Sequence, residues 1–219
     1  VSTLISNHST PNGDALMAYL ARQSSDKTLV ERWNDPEKLL RYCMRNGHWS
    51  VFEQAHMTLE FQVPRWLGRQ LLRHRSFTFQ EFSQRYQVVP NAFYPLEARI
   101  QDKKNRQNSI EVDDPELEAW WRERQREVWE EAYTAYQEAL NLGLAREVAA
   151  RMLPEFAPST MVMTGNVRSW IHFLQVRSSK GTQKETRELA AVFRAELAKS
   201  FPITYEAAFA EKEGSNGNQ

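Results

Sequence analysis

The chain has 219 residues, with 28 Lys+Arg against 28 Asp+Glu and a single cysteine, so its formal net charge is zero. That balance speaks against a non-specific nucleic-acid binder, which carries a basic excess, and one cysteine excludes an internal disulfide or a cysteine-based zinc cluster. No apolar run reaches the roughly 18 residues of a membrane span, and no apolar signal core stands near the start, so a cytoplasmic location without membrane partners is expected.

In chain order, residues 2–5 suit a short strand, and Leu16, Met17 and Leu20 share one face of a helix over 14–23. Asp35-Pro36 supplies a cap and a first-turn proline, and Gly47 a stop, so 36–46 reads as a helix with Leu39, Leu40 and Cys43 on its apolar side. Cys43 is then a core thiol and no nucleophile. His48, Ser50 and Glu53 follow in a short segment. Residues 56–63 alternate apolar and polar side chains, the period of a half-buried strand.

Pro64 stands at a first helical position, and the helix is expected to reach about Ser76, with Leu67 and Leu71 toward the core. Gln70, Arg73 and His74 share its neighbouring side. Phe77 to Arg85 fits neither period and reads as an irregular loop, before a short strand Tyr86 to Val89. Residues 96–114 are polar and read as a mobile surface loop.

Asp114-Pro115 starts the longest helix, to about Leu142, on which Leu117, Trp120, Trp121, Val128, Ala132, Ala135 and Ala139 draw an apolar stripe. Its many Arg and Glu form a solvated face. A second helix, 144–152, presents Arg146 and Arg151, and 159–164 suits a buried strand. Asn166 caps a helix over Val167 to Arg177 that is apolar on most sides yet keeps Arg168, His172 and Arg177. Thr182 and Glu185 form a capping box for the next helix, whose core line is Leu189, Phe193 and Leu197. The last residues, 210–219, read as a disordered tail, leaving one domain over 1–209. The five histidines fit no dense ligand spacing, so no metal is expected.

The densest local chemistry is RHRSFTFQEFSQRY over 73–86. One reading is a solvated basic helix end at the negative end of the dipole. Another is a single-stranded nucleic-acid module with Arg73, Arg75 and Arg85 among Phe77, Phe79 and Phe82 as stacking groups. No glycine-rich phosphate loop occurs anywhere, so any bound phosphate must be held by arginines.

The spacing Arg73-His74-Arg75, seven residues, then Ser83, with Glu81 and Arg85-Tyr86, resembles the signature of the flavin-dependent thymidylate synthases. The likeness extends to His48-x-Ser50-x-x-Glu53, Asn166-Val167-Arg168 and Arg177, and so covers most of the chain. Gln80 departs from it, where the family often has Asn. The resemblance implies an α+β fold, an antiparallel sheet packed with several helices, in a homotetramer whose active sites are shared between subunits. It implies reductive methylation of dUMP to dTMP, with FAD as cofactor, methylenetetrahydrofolate as carbon donor and NADPH as reductant.

By the same likeness His48, Ser50, Arg73, His74, Arg75, Glu81, Asn166, Val167, Arg168 and His172 hold the flavin. Gln70, Leu71, Leu72, Arg73, Glu81, Phe82, Ser83, Gln84, Arg85, Arg151 and Arg177 hold the nucleotide. Arg177 activates the uracil ring for direct hydride transfer from the reduced flavin. A fixed cation about 4 Å from a developing anion contributes roughly 4 kcal/mol at an effective dielectric of 20. Ser83 is read as positioning the nucleotide, since no histidine or lysine stands at a recognisable spacing to serve as its base.

Overall fold

The computed structural model describes residues 2–213, with side chains described as far as residue 209. Its strands in chain order are β1 (Thr3–Asn7), β2 (His56–Pro64), β3 (Thr78–Glu81), β4 (Arg99–Gln101), β5 (Ser109–Glu111) and β6 (Pro158–Asn166). Its helices are α1 (Gly13–Ala21), α2 (Pro36–Arg45), α3 (Arg65–Leu71), α4 (Pro115–Asn141), α5 (Arg146–Ala149), α6 (Val167–Arg177), α7 (Lys184–Ser200) and α8 (Pro202–Glu213). The expected α+β class with an antiparallel sheet is what the chain forms. Four strands pair antiparallel in the order β1-β2-β6-β3, and β4 with β5 make a separate hairpin.

β2 and β6 run side by side over nine residues each, from His56 opposite Asn166 to Pro64 opposite Pro158. The alternation read from the sequence is the burial pattern: Met57, Leu59, Phe61 and Val63 of β2, with Met161 and Met163 of β6, are fully buried. Each such side chain contributes about 1.5–3 kcal/mol on leaving water. Phe52, Trp170, Phe173, Phe193 and Phe201 join them in the main core. Gly165 of β6 is required there, because a Cβ would come within 2.5 Å of the Phe77 ring. Phe77 in turn packs edge-on against Trp170 at 4.9 Å, which ties the chain after α3 to the core.

Several local expectations are corrected. Pro64 precedes α3 as its cap residue, and the helix ends at Leu71, so Arg73–Ser76 form turns instead of a last helical turn. The stretch from Phe77 to Arg85 contains β3, an exposed edge strand on β6. Tyr86 to Val89 is no strand but follows a turn and ends with Val89 buried beneath α4. Residues 96–114 hold the β4–β5 hairpin. Asp35 adopts the left-handed conformation with φ 47° and makes no side-chain cap. Thr182 and Glu185 form no capping box: Gln183 precedes α7, Thr182 Oγ1 donates to Val176 O, and Glu185 binds elsewhere. The expected tail over 210–219 is helical to Glu213 within α8, and 214–219 lie outside the described residues.

The face of α4 also differs from the expected stripe. Trp120 and Val128 are half-exposed, while Gln125, Trp129 and Tyr136 are buried. The polar groups on that face bind an irregular segment that has no ladder of its own. Gln125 bonds both the N–H and the carbonyl of Leu96, Tyr136 Oη accepts from Val89 N, and Trp129 Nε1 donates to Asn91 Oδ1 at 2.9 Å. Val89, Tyr136, Ala149 and Ala150 make a second small core there.

Candidate active site

The two connections that leave β2 and β6 build the centre of the site. α6 follows β6 directly, and its first turn is capped by Asn166 Oδ1, which accepts from Ser169 N at 2.9 Å. Arg177 sits at its C-terminal end and donates from Nε to His74 Nε2 at 2.8 Å. That geometry requires an unprotonated Nε2, so the neutral His74 carries its proton on Nδ1. Burial, with the Arg177 guanidinium and then the His172 ring nearby, lowers the His74 pKa to about 4. The ring lies edge-on against Phe173 at 4.7 Å, which fixes its plane.

Arg73 and Arg75 flank His74 and are both exposed. Neither makes a salt bridge or side-chain hydrogen bond among the described residues. Next to them opens a cleft of about 720 Å³ between α6, the turn after α3 and the 3₁₀ turn Trp49–Glu53. Its polar lining includes Asn166, Arg168, His172, Ser76, Gln175 and the carboxylate of Glu53, and Trp49 and Ile171 are its apolar part. Arg168 Nη1 bonds Glu53 Oε1 at 2.5 Å across the mouth.

A second group gathers past the other end of β3. Glu81 accepts from Ser159 Oγ at 2.8 Å. Arg85 Nε pairs with Glu147 Oε2 at 2.6 Å, Arg151 Nε donates to the Glu147 carbonyl at 3.0 Å, and Arg146 holds the Tyr86 carbonyl. Arg85 thus meets the side chain, and Arg151 of the 3₁₀ turn Ala150–Met152 the main chain, of the same α5 residue. Ser83 Oγ lies 3.4 Å from Arg85 N and meets no base among the described residues. Gln84 is buried, and its Oε1 has no partner.

The structure joins His74 with Arg177, and Arg168 with His172 and Asn166, but it does not join these to Arg85 and Arg151. Ser159 and Asn166 mark the two ends of β6, seven residues apart, which is about 23 Å at strand rise. Gln70 stands near the first group, bonded to Gln183 and Thr186. His48 is exposed and packs against Tyr42, while Ser50 lines a smaller cleft beside α1. Leu71 and Val167 are fully buried, so only their main chain could meet a ligand. Leu72 is exposed and Phe82 half-buried.

Residues that the sequence did not single out include Glu147, Ser159, Ser76 and Trp49. None of these left a signal within a short window; the Glu147 carboxylate is paired with Arg85, 62 positions away. Two alternatives lose ground on geometry. The stacking reading needs Phe77 at the surface, and it is 9% exposed in the core. Cys43 is buried, and burial raises its thiol pKa, which removes it as a nucleophile. No group of metal-binding side chains occurs among the described residues, and no helix there is long and apolar enough to cross a membrane.

Residues 3–203 match the profile of a family described as thymidylate synthase complementing protein. A flavin-dependent thymidylate synthase of Synechocystis is 45% identical over 189 residues, 86% of each chain. A probable flavin-dependent thymidylate synthase of Paramecium bursaria Chlorella virus 1 is 42% identical over 189 residues, 86% of this chain and 87% of its own. Among solved structures, a UMP/dUMP methylase, PolB of Streptomyces cacaoi bound with 5-Br dUMP, superposes with a TM-score of 0.80 at 29% identity, covering 96% and 94% of the two chains.

Proposed function

The chain belongs to the thymidylate synthase complementing protein family, that of the flavin-dependent thymidylate synthases, and from that premise we propose how its residues carry out the reaction. The activity is that of a methyltransferase acting on dUMP to give dTMP. FAD, methylenetetrahydrofolate as carbon donor and NADPH as reductant complete the reading, in a cytoplasmic enzyme.

The observation that carries it is the pairing of Arg177 with a neutral imidazole. A carboxylate partner would cancel the guanidinium charge; His74, held unprotonated, orients Arg177 and leaves the charge whole. Placed beside the uracil ring, that charge stabilises the anionic ring nitrogen and carbonyl oxygens by roughly 4 kcal/mol at about 4 Å. This is stabilisation of charge as it develops, the term on which such catalysis chiefly rests.

The residues present fit a dinucleotide flavin. Arg73 and Arg75 stand free for phosphate oxygens, and the adjoining cleft combines Asn166, Arg168 and His172 with the indole of Trp49 and the apolar Ile171. When bound, the flavin supplies the hydride. Arg85 and Arg151 hold the nucleotide phosphate, for which Arg85 releases Glu147; an exposed pair of that kind contributes only about 0.2–1 kcal/mol, so the exchange costs little. Ser83 positions the nucleotide, consistent with a hydroxyl that meets no base.

Because the two arginine groups lie toward opposite ends of β6, roughly 23 Å apart at strand rise, the reading puts each active site between subunits of a homotetramer. The exposed β3 edge leaves the first group open to a second copy. The visible spectrum tests the whole. A yellow protein releasing about one FAD per chain, bleached by NADPH faster when dUMP is present, is expected. A colourless protein that takes up no added FAD would end this reading, and a monomeric mass at assay concentration would end the shared site.

A further inference from the structure

A line of side-chain hydrogen bonds leads from α3 into the β4–β5 hairpin. Gln70 Oε1 accepts from Thr186 Oγ1 at 2.7 Å, and Gln70 Nε2 donates to Gln183 Oε1 at 2.7 Å. Gln183 Nε2 donates to Glu185 Oε2 at 3.0 Å, and the other Glu185 oxygen is taken by Arg99 of β4. Glu185 and Thr186 are 3% and 0% exposed, so neither can turn to water instead.

The direction of this line is set at its far end. A carboxylate only accepts, so Gln183 must turn its NH₂ to Glu185 and its oxygen to Gln70. Gln70 must then turn its own NH₂ to Gln183 and its oxygen to Thr186. The Thr186 hydroxyl has no other hydrogen-bond partner among the described residues. The carbonyl one turn back, that of Thr182, accepts from Arg187 instead. Valine would fill the same buried space without a polar group to satisfy; the hydroxyl is accounted for by Gln70 alone.

We propose that Thr186, Gln183 and Glu185 are positioning residues that hold the Gln70 carboxamide in one orientation for the nucleotide. The inference rests on the reading above that Gln70 contacts dUMP. Held this way, Gln70 keeps one N–H and one lone pair unspent, in known places, so a nucleotide meets a set donor and acceptor. A glutamine free to flip would have to be ordered at each binding event, which weakens affinity.

The test compares Thr186→Val, Thr186→Ser, Gln183→Ala and Gln70→Ala in the flavin-loaded enzyme. Gln183 is exposed, so that variant folds whatever happens at Thr186. Thr186→Val is expected to raise the KM for dUMP about five- to tenfold, the loss of one ordering hydrogen bond, with kcat within about twofold. Thr186→Ser is expected to restore KM to within about twofold, flavin content staying constant throughout. Gln183→Ala should raise KM about threefold. A KM unmoved in Thr186→Val and Gln183→Ala, while Gln70→Ala raises it, would overturn the proposal and leave the role of Gln70 standing. An unmoved KM in Gln70→Ala would overturn both.

Discussion

Arginine is used in two opposite ways in this molecule, on the long helix α4 and on the turn after α3. On α4 each has a carboxylate one turn away: Arg122 pairs with Glu118, Arg124 with Glu127, and Arg126 with both Glu123 and Glu130. After α3, Arg73 and Arg75 have none, and Arg177 has only a neutral imidazole. The same holds for the cleft of about 580 Å³ beside the hairpin, where Lys184 lies between Glu97 and Glu111. What sets Arg73, Arg75 and Arg177 apart is the missing anion, not the number of arginines; Arg85 and Arg168 keep carboxylates, Glu147 and Glu53, that a bound phosphate would have to displace.

Four measurements would break or sharpen that contrast. Arg177→Ala is expected to lower turnover about 10²–10³-fold, the scale of losing one preorganised charge stabiliser, with flavin content retained; turnover within tenfold of the parent would remove Arg177 from the chemistry. Arg73→Ala and Arg75→Ala should each weaken FAD binding by about tenfold or more, since a charge-assisted hydrogen bond contributes about 1.5–3 kcal/mol, as fluorescence titration of the apoprotein would read.

The third concerns pH. The His74 pKa is about 4 in the folded chain, against 6.5 for an unperturbed histidine. Between these values the unfolded chain takes up a proton that the folded chain refuses, so the contribution is complete above 6.5 and is lost as pH falls toward 4. The imidazole resonance of His74 should titrate near 4, and replacing Arg177 with Met should raise that midpoint; a midpoint near 6.5 would contradict the buried neutral pairing. The smallest effect belongs to α4: Arg126→Ala should barely move the unfolding midpoint, because exposed pairs are worth little, and should leave dUMP turnover unchanged.

What could be read from the sequence follows from where each signal lies. α6 was legible to the residue, since Asn166, the apolar run and Arg177 are all local to it. β2 was legible because one of its faces is wholly buried and the alternation therefore survives. β3 was not: as a four-residue edge strand it is paired on one side only and has no buried face to impose a period. The face of α4 was missed for a different reason. It buries Gln125 and Tyr136 to serve the backbone of 89–96, and a search for apolar periodicity passes over a helix that packs with its polar groups.

The site shows the same division. Of the candidate site, Arg73, His74 and Arg75 were singled out by spacing and resemblance and Arg177 by resemblance, and the structure adds that His74 is what holds Arg177. Glu147, Ser159 and Thr186 were not, because each acts through a partner more than 60 positions away. A pattern within a short window has no means of finding them.

Asp14 of α1 accepts from Ile203 N, Thr204 N and Thr204 Oγ1, and so closes the first turn of α8 across 190 positions of sequence. Beside it Gly13 lies flat against the ring of Phe201, where a methyl group would not fit. Contacts of such span are assembled late, after the loop-closure entropy between them has been overcome. The rest of α1 is seated locally, with Tyr19 stacked on Trp33 and Arg22, just past its end, bonding the carbonyls of Arg32 and Asp35. On the ribosome it is therefore the Asp14 end alone that waits for α8 until nearly all of the described chain has emerged.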